Sequence, residues 1–193
     1  SRRRKTQSLR DELLDAALKL VEANGTEGFS MREAARMAGV SSGAPYRHYK
    51  DNDALLRAAA CRVVRLIAEV QREAAARHDA PALRFRAIGT ASVRFAVEHP
   101  ELFRLANDRR YLGRDDPETQ AQLASIREAV RVALDLSAKD GALDERQAPA
   151  LIQLTVESAT YGLARLFLDG HLPCSGPDEA EQVAESVLNL LDN

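Results

Sequence analysis

The sequence predicts an all-α protein built from an N-terminal three-helix unit and a larger C-terminal helical half. Two observations support this prediction. Apolar residues recur at helical spacing along most of the chain, and capping residues, glycines or prolines stand at the ends of these runs. The 193 residues are more than one three-helix unit needs, yet few for two large domains. We place the domain boundary at residue 52, which gives residues 1–52 and 53–193.

The first predicted helix covers residues 9–24. Ser8 precedes it and Asp11 follows three residues later, a spacing that caps helix starts. Asn24 and Gly25 end the run. The apolar positions of this helix are Leu9, Leu13, Ala16, Ala17, Leu20 and Val21.

The second predicted helix covers residues 31–38. Ser30 and Glu33 have the spacing of a capping box, in which each side chain bonds a free backbone N–H group. Gly39 suits the left-handed residue that ends a helix, and Val40 follows it as an apolar plug.

A third helix is predicted over residues 42–49. Ser41 and Ser42 are good N-cap residues, and Pro45 falls in the first turn, where a missing N–H is tolerated. Two short helices joined by a tight turn form a helix-turn-helix, which presents its second helix to the major groove of DNA. Residues 30–50 therefore predict a DNA-binding unit.

The same stretch resembles the DNA-binding half of the TetR family of bacterial transcriptional regulators, which typically reads Val-Ser-x-Gly-Thr-Leu-Tyr-x-(His or Tyr)-Phe-x-x-Lys. The matching run is Val40-Ser41-Ser42-Gly43-Ala44-Pro45-Tyr46-Arg47-His48-Tyr49-Lys50. Ala44 and Pro45 stand where the family commonly has Thr and Leu. Tyr49 replaces Phe, and Asn52 stands where Lys is usual. The resemblance extends over residues 9–60.

The resemblance implies which residues contact a double-stranded DNA operator. Base and nearby phosphate contacts are expected from Ser42, Gly43, Ala44, Pro45, Tyr46 and Arg47, and phosphate contacts from His48 and Lys50. The residue types fit, because Arg bonds guanine O6 and N7 bidentately, Ala or Pro touches a thymine methyl, and Tyr donates to phosphate. A solvated charge or a salt bridge is the alternative for Arg47, and a packing role for His48. Tyr49 is expected in the core.

Charge is distributed unevenly along the chain. Residues 1–50 hold ten Lys and Arg against six Asp and Glu, while the rest holds seventeen against twenty-three, so the net charges are +4 and −6. A basic run, Arg2 to Lys5, precedes the first predicted helix. It is either an arm that contacts phosphate or the minor groove, or a solvated tail.

The second half continues in helices. They are predicted over residues 53–76, 82–99, 101–107, 117–141 and 149–168, and Asp178 is expected to cap a last one. The helix 149–168 is apolar on two sides, which favours dimerisation because a chain of this size cannot easily cover both. The candidate interface residues are Leu163, Phe167, Val183, Val187 and Leu191. A homodimer also matches the twofold symmetry of palindromic DNA sites.

Residues 93–104 and Tyr161 with Gly162 resemble a C-terminal TetR subgroup marked by Trp and His-Gly, although the Trp is absent and Tyr161 stands where His is usual. The resemblance implies a pocket for a small molecule, expected to be lipophilic or aromatic. The candidate pocket residues are Phe95, His99, Phe103, Tyr111, Ile126 and Tyr161. Core packing is the alternative for the Phe and Ile residues, and a helix-end role for His99. The Tyr161 hydroxyl, inside a predicted interior helix, needs a polar partner.

Signals for an enzyme are weak. Four His and two Cys show no metal-ligand spacing, and no phosphate-binding glycine loop or nucleophile elbow is present, so we expect no catalytic residues, metal or cofactor. The cysteine usage and the lack of an apolar run of membrane length predict a soluble cytoplasmic protein without a membrane partner. We therefore expect a repressor that a small molecule releases from its operator. An effector-independent architectural DNA-binding protein and, less well supported, a small helical enzyme are the alternatives.

Overall fold

The computed structural model describes residues 2–112 and 149–190, together with residues 117, 120, 121, 124 and 128. The helices are α1 (Arg2–Asn24), α2 (Met31–Met37), α3 (Asn52–Ala75), α4 (Pro81–Glu98), α5 (Pro100–Asn107), α6 (Pro149–Leu168) and α7 (Pro177–Asn189), with a 3₁₀ turn over Pro45–Arg47. These residues contain no strand, and the all-α prediction is confirmed. Most of the helix predicted over residues 117–141 lies outside the described residues.

The chain forms two compact units. The first contains Ser1–Val64 and His99–Gln120, and the second contains Arg65–Glu98 and Ala121–Asn193. The first unit is thus larger than the predicted DNA-binding domain of residues 1–52, because it includes part of α3 and all of α5.

Helix α1 begins earlier than predicted and ends where predicted. It starts at Arg2 rather than near Ser8, so the basic run lies in the helix, because Arg, Lys and Gln favour helix and no Gly or Pro interrupts them. At the other end Gly25 has φ 69° and its N–H donates to the Val21 carbonyl at 2.8 Å. The predicted stop at Asn24 and Gly25 is confirmed.

The end of α2 is also confirmed. Gly39 has φ 68°, its N–H donates to the Arg36 carbonyl, and the Val40 N–H donates to the Ala35 carbonyl at 3.0 Å. This pair of bonds is a Schellman motif, which satisfies carbonyls left free at a helix end. The motif turns the chain sharply from α2 toward the 3₁₀ turn.

Apolar faces of α1, α2, α3 and α5 form the core of the first unit. The essentially inaccessible side chains in it are Leu13, Val21, Met31, Pro45, Leu55, Val63 and Leu105. Phe29 is also buried, and Tyr49 is buried as predicted. Val40 is half-buried.

In the second unit α4 packs against α6 and α7. Val93, Leu163, Ala180 and Ala184 form a buried cluster between these helices. On the rim, the Arg94 guanidinium bonds Asp178 at 2.6 Å and Glu181 at 2.7 Å. Helix α7 therefore does not use Asp178 as its cap, and that prediction is wrong. Gly176 is the N-cap and Pro177 opens the helix, which leaves Asp178 to pair with Arg94.

Gly89 lets α4 approach its neighbours closely. A Cβ atom at this position lies 2.7 Å from Leu188 Cδ1 and 3.0 Å from Thr160 Cγ2, and Leu188 is itself buried. A side chain here must therefore displace the Leu188 or the Thr160 side chain.

We expect Gly89→Val to lower the free energy of unfolding by about 2 kcal/mol, the typical cost of overpacking a tight core. Urea denaturation followed by circular dichroism measures the change. Gly162→Val is the matched control, because Gly162 also lies inside a helix and a Cβ there meets nothing within 4 Å among the described residues. Equal effects of the two substitutions would contradict the close packing at Gly89.

Candidate nucleic-acid interface

The predicted third helix over residues 42–49 is wrong, since only the 3₁₀ turn Pro45–Arg47 forms there. Three backbone hydrogen bonds between residues three positions apart form this turn. The N–H groups of Ala44, Arg47 and His48 donate to the carbonyls of Ser41, Ala44 and Pro45, respectively. Pro45 has no N–H and cannot make the α-helical bond to the Ser41 carbonyl. That carbonyl accepts from Ala44 at 2.9 Å instead, which gives the tighter 3₁₀ geometry.

The predicted caps are absent as well. The 3₁₀ turn has Ala44 as its N-cap, so neither Ser41 nor Ser42 has the predicted capping role. Ser30 is the N-cap of α2 but makes no side-chain cap bond. Glu33 does not complete a capping box, because it forms a bidentate ion pair with Arg36.

An ion pair and a hydrogen bond from another helix explain why the capping box does not form. The Arg36 guanidinium, whose Nη2 lies 2.6 Å from Glu33 Oε1, holds the pKa of that carboxyl below its usual value. A charged donor with fork geometry outcompetes a backbone N–H for a carboxylate. The first N–H of α2, from Met31, donates instead to Asn52 Oδ1 at 3.1 Å. Sequence reasoning did not identify this contact of Asn52.

We call residues 42–50 the reading segment. Its exposed residues are Ser42, Gly43, Tyr46, Arg47 and Lys50, and its half-buried residues are Ala44 and His48. Pro45 is fully buried, so its ring cannot touch a thymine methyl and its predicted DNA contact is wrong. It shapes the turn from inside the core.

Tyr46 is the most unusual surface residue of the reading segment, because 53 % of this large aromatic side chain is exposed. Tyrosine carries an apolar ring and a hydroxyl donor, a combination enriched at binding surfaces. Among the described residues neither Arg47 nor Lys50 makes an ion pair, so both charges face solvent. The segment thus presents two cations and a phenol together.

Tyr49 anchors the reading segment to α1. Its ring is buried, its hydroxyl accepts a hydrogen bond from Arg10 Nε at 3.4 Å, and the Arg10 guanidinium lies 5.7 Å from the ring centroid. Burial raises the pKa of Tyr49, against the opposing effect of Arg10. Asp51 Oδ1 then caps the start of α3 by accepting from the Ala54 N–H at 2.8 Å.

The candidate pocket residues have different environments. In the first unit Phe103 and Tyr111 are buried, and His99 Nδ1 lies 3.0 Å from Glu22 Oε1. In the second unit Phe95 is buried, whereas Tyr161 is 46 % exposed. Tyr161 is therefore not an interior residue of the single chain. Ile126 lies outside the described residues.

Two open cavities occur in the described parts of the chain. In the second unit a groove of about 240 Å³ is lined by Arg77, His78, Arg86, Glu181, Glu185 and smaller residues. In the first unit a depression of about 390 Å³ is lined by residues around Gly25 and by Glu101, Arg104, Asp108 and Arg110. Neither is lined by a candidate pocket residue.

The candidate interface residues mostly pack within one chain. Leu163 belongs to the buried cluster of the second unit, so its own chain already covers most of this side chain. Phe167, Val183 and Val187 are partly buried against that cluster. Leu191 lies outside the described residues.

The opposite side of α6 is exposed. Leu151, Leu154 and Tyr161 lie at helical spacing on it, and Leu151 and Leu154 are 62 % and 58 % exposed. Helix α6 therefore has one apolar face that α4 and α7 cover and one that stays exposed among the described residues.

Comparisons with known proteins match both halves of the chain. The chain is similar to the HTH-type transcriptional regulator BetI of Burkholderia thailandensis, with 36% identity over 84 residues. That match spans 43% of this chain and 43% of the relative, so it covers under half of the relative's length.

Solved structures share the whole fold. A protein of unknown function from Rhodococcus sp. RHA1 is 26% identical with a TM-score of 0.79, and the match covers 93% of both chains. A TetR family transcription regulator from Marinobacter aquaeolei VT8 is 24% identical with a TM-score of 0.71, over 98% of this chain and 97% of that chain.

Two family models cover most of the sequence. Residues 13–59 match the model of the bacterial regulatory proteins of the tetR family, and residues 85–191 match that of a tetracyclin repressor-like C-terminal domain. Among the described residues no helix has both the length and the apolar composition that a membrane span requires. Because the second model alone matches more than half of the chain, the protein belongs to the TetR family of transcriptional regulators and carries its DNA-binding helix-turn-helix.

Proposed function

We propose that the protein is a homodimeric repressor that binds an inverted-repeat operator through the reading segment and leaves it when a small molecule binds the helical half. The main observation in support is the exposed trio of Tyr46, Arg47 and Lys50, in which no described residue forms an ion pair with either cation. Regulators of this family bind operators as dimers and often take small effectors. They are generally not enzymes.

Each exposed residue of the reading segment has a role that its chemistry supports. Arg47 reads a guanine edge, while Tyr46 and Lys50 hold phosphates. Gly43 lets the backbone approach the groove, and Ser42 and Ala44 contact bases beside it. His48, which is half-buried, contacts a phosphate through the part of its ring that is exposed. Pro45 is excluded because it is buried.

The dimer is proposed to form through the exposed face of α6. Leu151 and Leu154 give up unfavourable contact with water when a second copy covers them, and burial of such side chains is the main driving force of association. A twofold dimer contacts two half-sites about one helical turn of DNA apart, or a multiple of it. The expected operator is therefore an inverted repeat.

The effector is proposed to be lipophilic or aromatic and to act through the buried aromatic side chains of the helical half. Phe95 lies in the α4 core of the second unit, so a ligand beside it has to displace apolar packing. Such a ligand stabilises one helix arrangement over another by its difference in affinity for the two. Repression follows when the arrangement without ligand is the one that binds DNA.

Selection of bound duplexes from a random DNA pool, carried out at low and at moderate salt, tests the proposal. We expect an inverted repeat that survives the higher salt, because base contacts remain after phosphate contacts are screened. Binding that yields no motif and disappears as salt rises would contradict sequence-specific regulation and favour an architectural role.

A further inference from the structure

Asn52 links α3 to α2, the first helix of the helix-turn-helix. It is the first residue of α3, and its side-chain oxygen accepts a hydrogen bond from the N–H of Met31, the first residue of α2. The two residues are 21 positions apart in sequence, and the N···O distance is 3.1 Å. The Asn52 side chain therefore acts as a cap delivered from another helix.

The start of α2 needs such a partner. The first N–H groups of a helix have no intrahelical acceptor, and a local Ser usually supplies one. Here Ser30 makes no cap bond and Glu33 is held by Arg36. Met31 is itself buried, with 1 % of its surface exposed, so water is a poor substitute acceptor.

This bond also closes the chain around the reading segment. Residues 32–51 form a loop whose two ends are tied together by the bond between Met31 and Asn52. Within the loop, Tyr49 is fixed to α1 by Arg10. Two contacts, one to α2 and one to α1, thus restrict where the reading segment can lie.

We propose that Asn52 is a positioning residue for DNA recognition, which sets the placement of the reading segment by capping α2 and does not itself contact DNA. This inference rests on the proposed function. Its chemistry is specific, because the bond requires an acceptor on residue 52. Lys, the residue that the TetR pattern usually has there, carries donors only and cannot replace Asn.

Three variants test the role of Asn52. Asn52→Ala removes the acceptor, Asn52→Asp keeps one, and Ser30→Ala is the matched control because the Ser30 side chain makes no cap bond. Asn52 is exposed at the surface, so its truncation opens no cavity in the core. Circular dichroism confirms that each variant is folded at the temperature used.

Two readouts are needed. The first is amide hydrogen exchange at Met31 without DNA. The second is the ratio of affinities for the selected duplex and for a scrambled duplex of equal length. The added negative charge of Asn52→Asp lowers the affinity for both duplexes by the same factor, because its repulsion from phosphates does not depend on sequence. The ratio of affinities is therefore unaffected by this charge.

For Asn52→Ala we expect about fivefold faster exchange at Met31 and about a fivefold smaller affinity ratio, the loss that corresponds to one helix cap. Asn52→Asp should keep both values near wild type, and Ser30→Ala should leave both unchanged. Rescue by Asp separates a positioning role from a nonspecific loss of stability.

Two results would overturn the inference while leaving the proposed function intact. One is an unchanged affinity ratio in Asn52→Ala despite faster exchange at Met31. The other is a reduced ratio with unchanged exchange at Met31, which would mean that Asn52 touches DNA directly. If the wild-type protein bound the selected and the scrambled duplex equally well, the proposed function would be wrong, and so would the inference that rests on it.

Discussion

Leu154→Glu on the exposed face of α6 is expected to convert the dimer to a monomer and to weaken binding to the inverted repeat by at least about 100-fold. Leu154 is 58 % exposed in the single chain, so the carboxylate stays hydrated in the monomer and costs little folding energy. In the proposed dimer the same group is buried against apolar side chains. An unpaired buried charge costs several kcal/mol, and each 1.4 kcal/mol is tenfold in affinity.

Sedimentation velocity and a titration of the selected duplex measure the two effects. Leu83→Glu is the matched control, because Leu83 is also a partly exposed leucine, at 41 %, but lies on α4. A Leu154→Glu protein that sediments as a dimer and binds like wild type would place the interface elsewhere.

Arg47→Ala is expected to remove the preference for one base pair in each half-site. A bidentate contact between Arg and guanine contributes about 1–3 kcal/mol of discrimination, and a dimer makes the contact twice. Folding should be unaffected, since Arg47 is exposed and makes no ion pair among the described residues. Tyr46→Ala should instead weaken binding to all sequences by a similar factor, because a phosphate contact carries no sequence information.

The measurement is a titration of operator duplexes that each carry one altered base pair. Arg72→Ala, which removes the same charge from exposed residue 72 of α3, is the control for net charge. If Arg47→Ala and Tyr46→Ala both bound every duplex as well as wild type, the placement of the reading segment would be wrong.

Apolar periodicity and glycines predicted most of the helices. The limits of α3, α4, α5 and α6 fall within one residue of the predicted ones. Gly25 and Gly39 end their helices as expected, because a left-handed residue is a requirement that acts within a few residues. These signals depend on neighbours along the chain, so they can be recognised without tertiary structure.

Predictions failed where a residue had a choice of partners. Glu33 fits a capping box but bonds Arg36, and the cap that α2 receives comes from Asn52 in another helix. Asp178 fits an N-cap but pairs with Arg94 on α4. Local patterns give the possible partners of a polar side chain, while the fold decides which of them is closest.

The candidate DNA-binding residues also combine features that the local sequence predicts with features that depend on the fold. The pattern around Tyr46 identified the segment, but the burial of Pro45 depends on the packing of the whole first unit. Likewise the two apolar sides of α6 were visible in the sequence. The packing of α4 against α6 shows that the chain itself covers the side that carries Leu163, and the sequence alone does not show this.

The central claim is that one homodimer places two reading segments in major grooves at a fixed separation. The most direct measurement is the affinity for duplexes in which five base pairs are inserted between the half-sites of the selected operator. Five base pairs rotate one half-site by about half a helical turn, so it faces away from the dimer. We predict that affinity falls to that of a single half-site. Affinity equal to that of the original operator would contradict the claim.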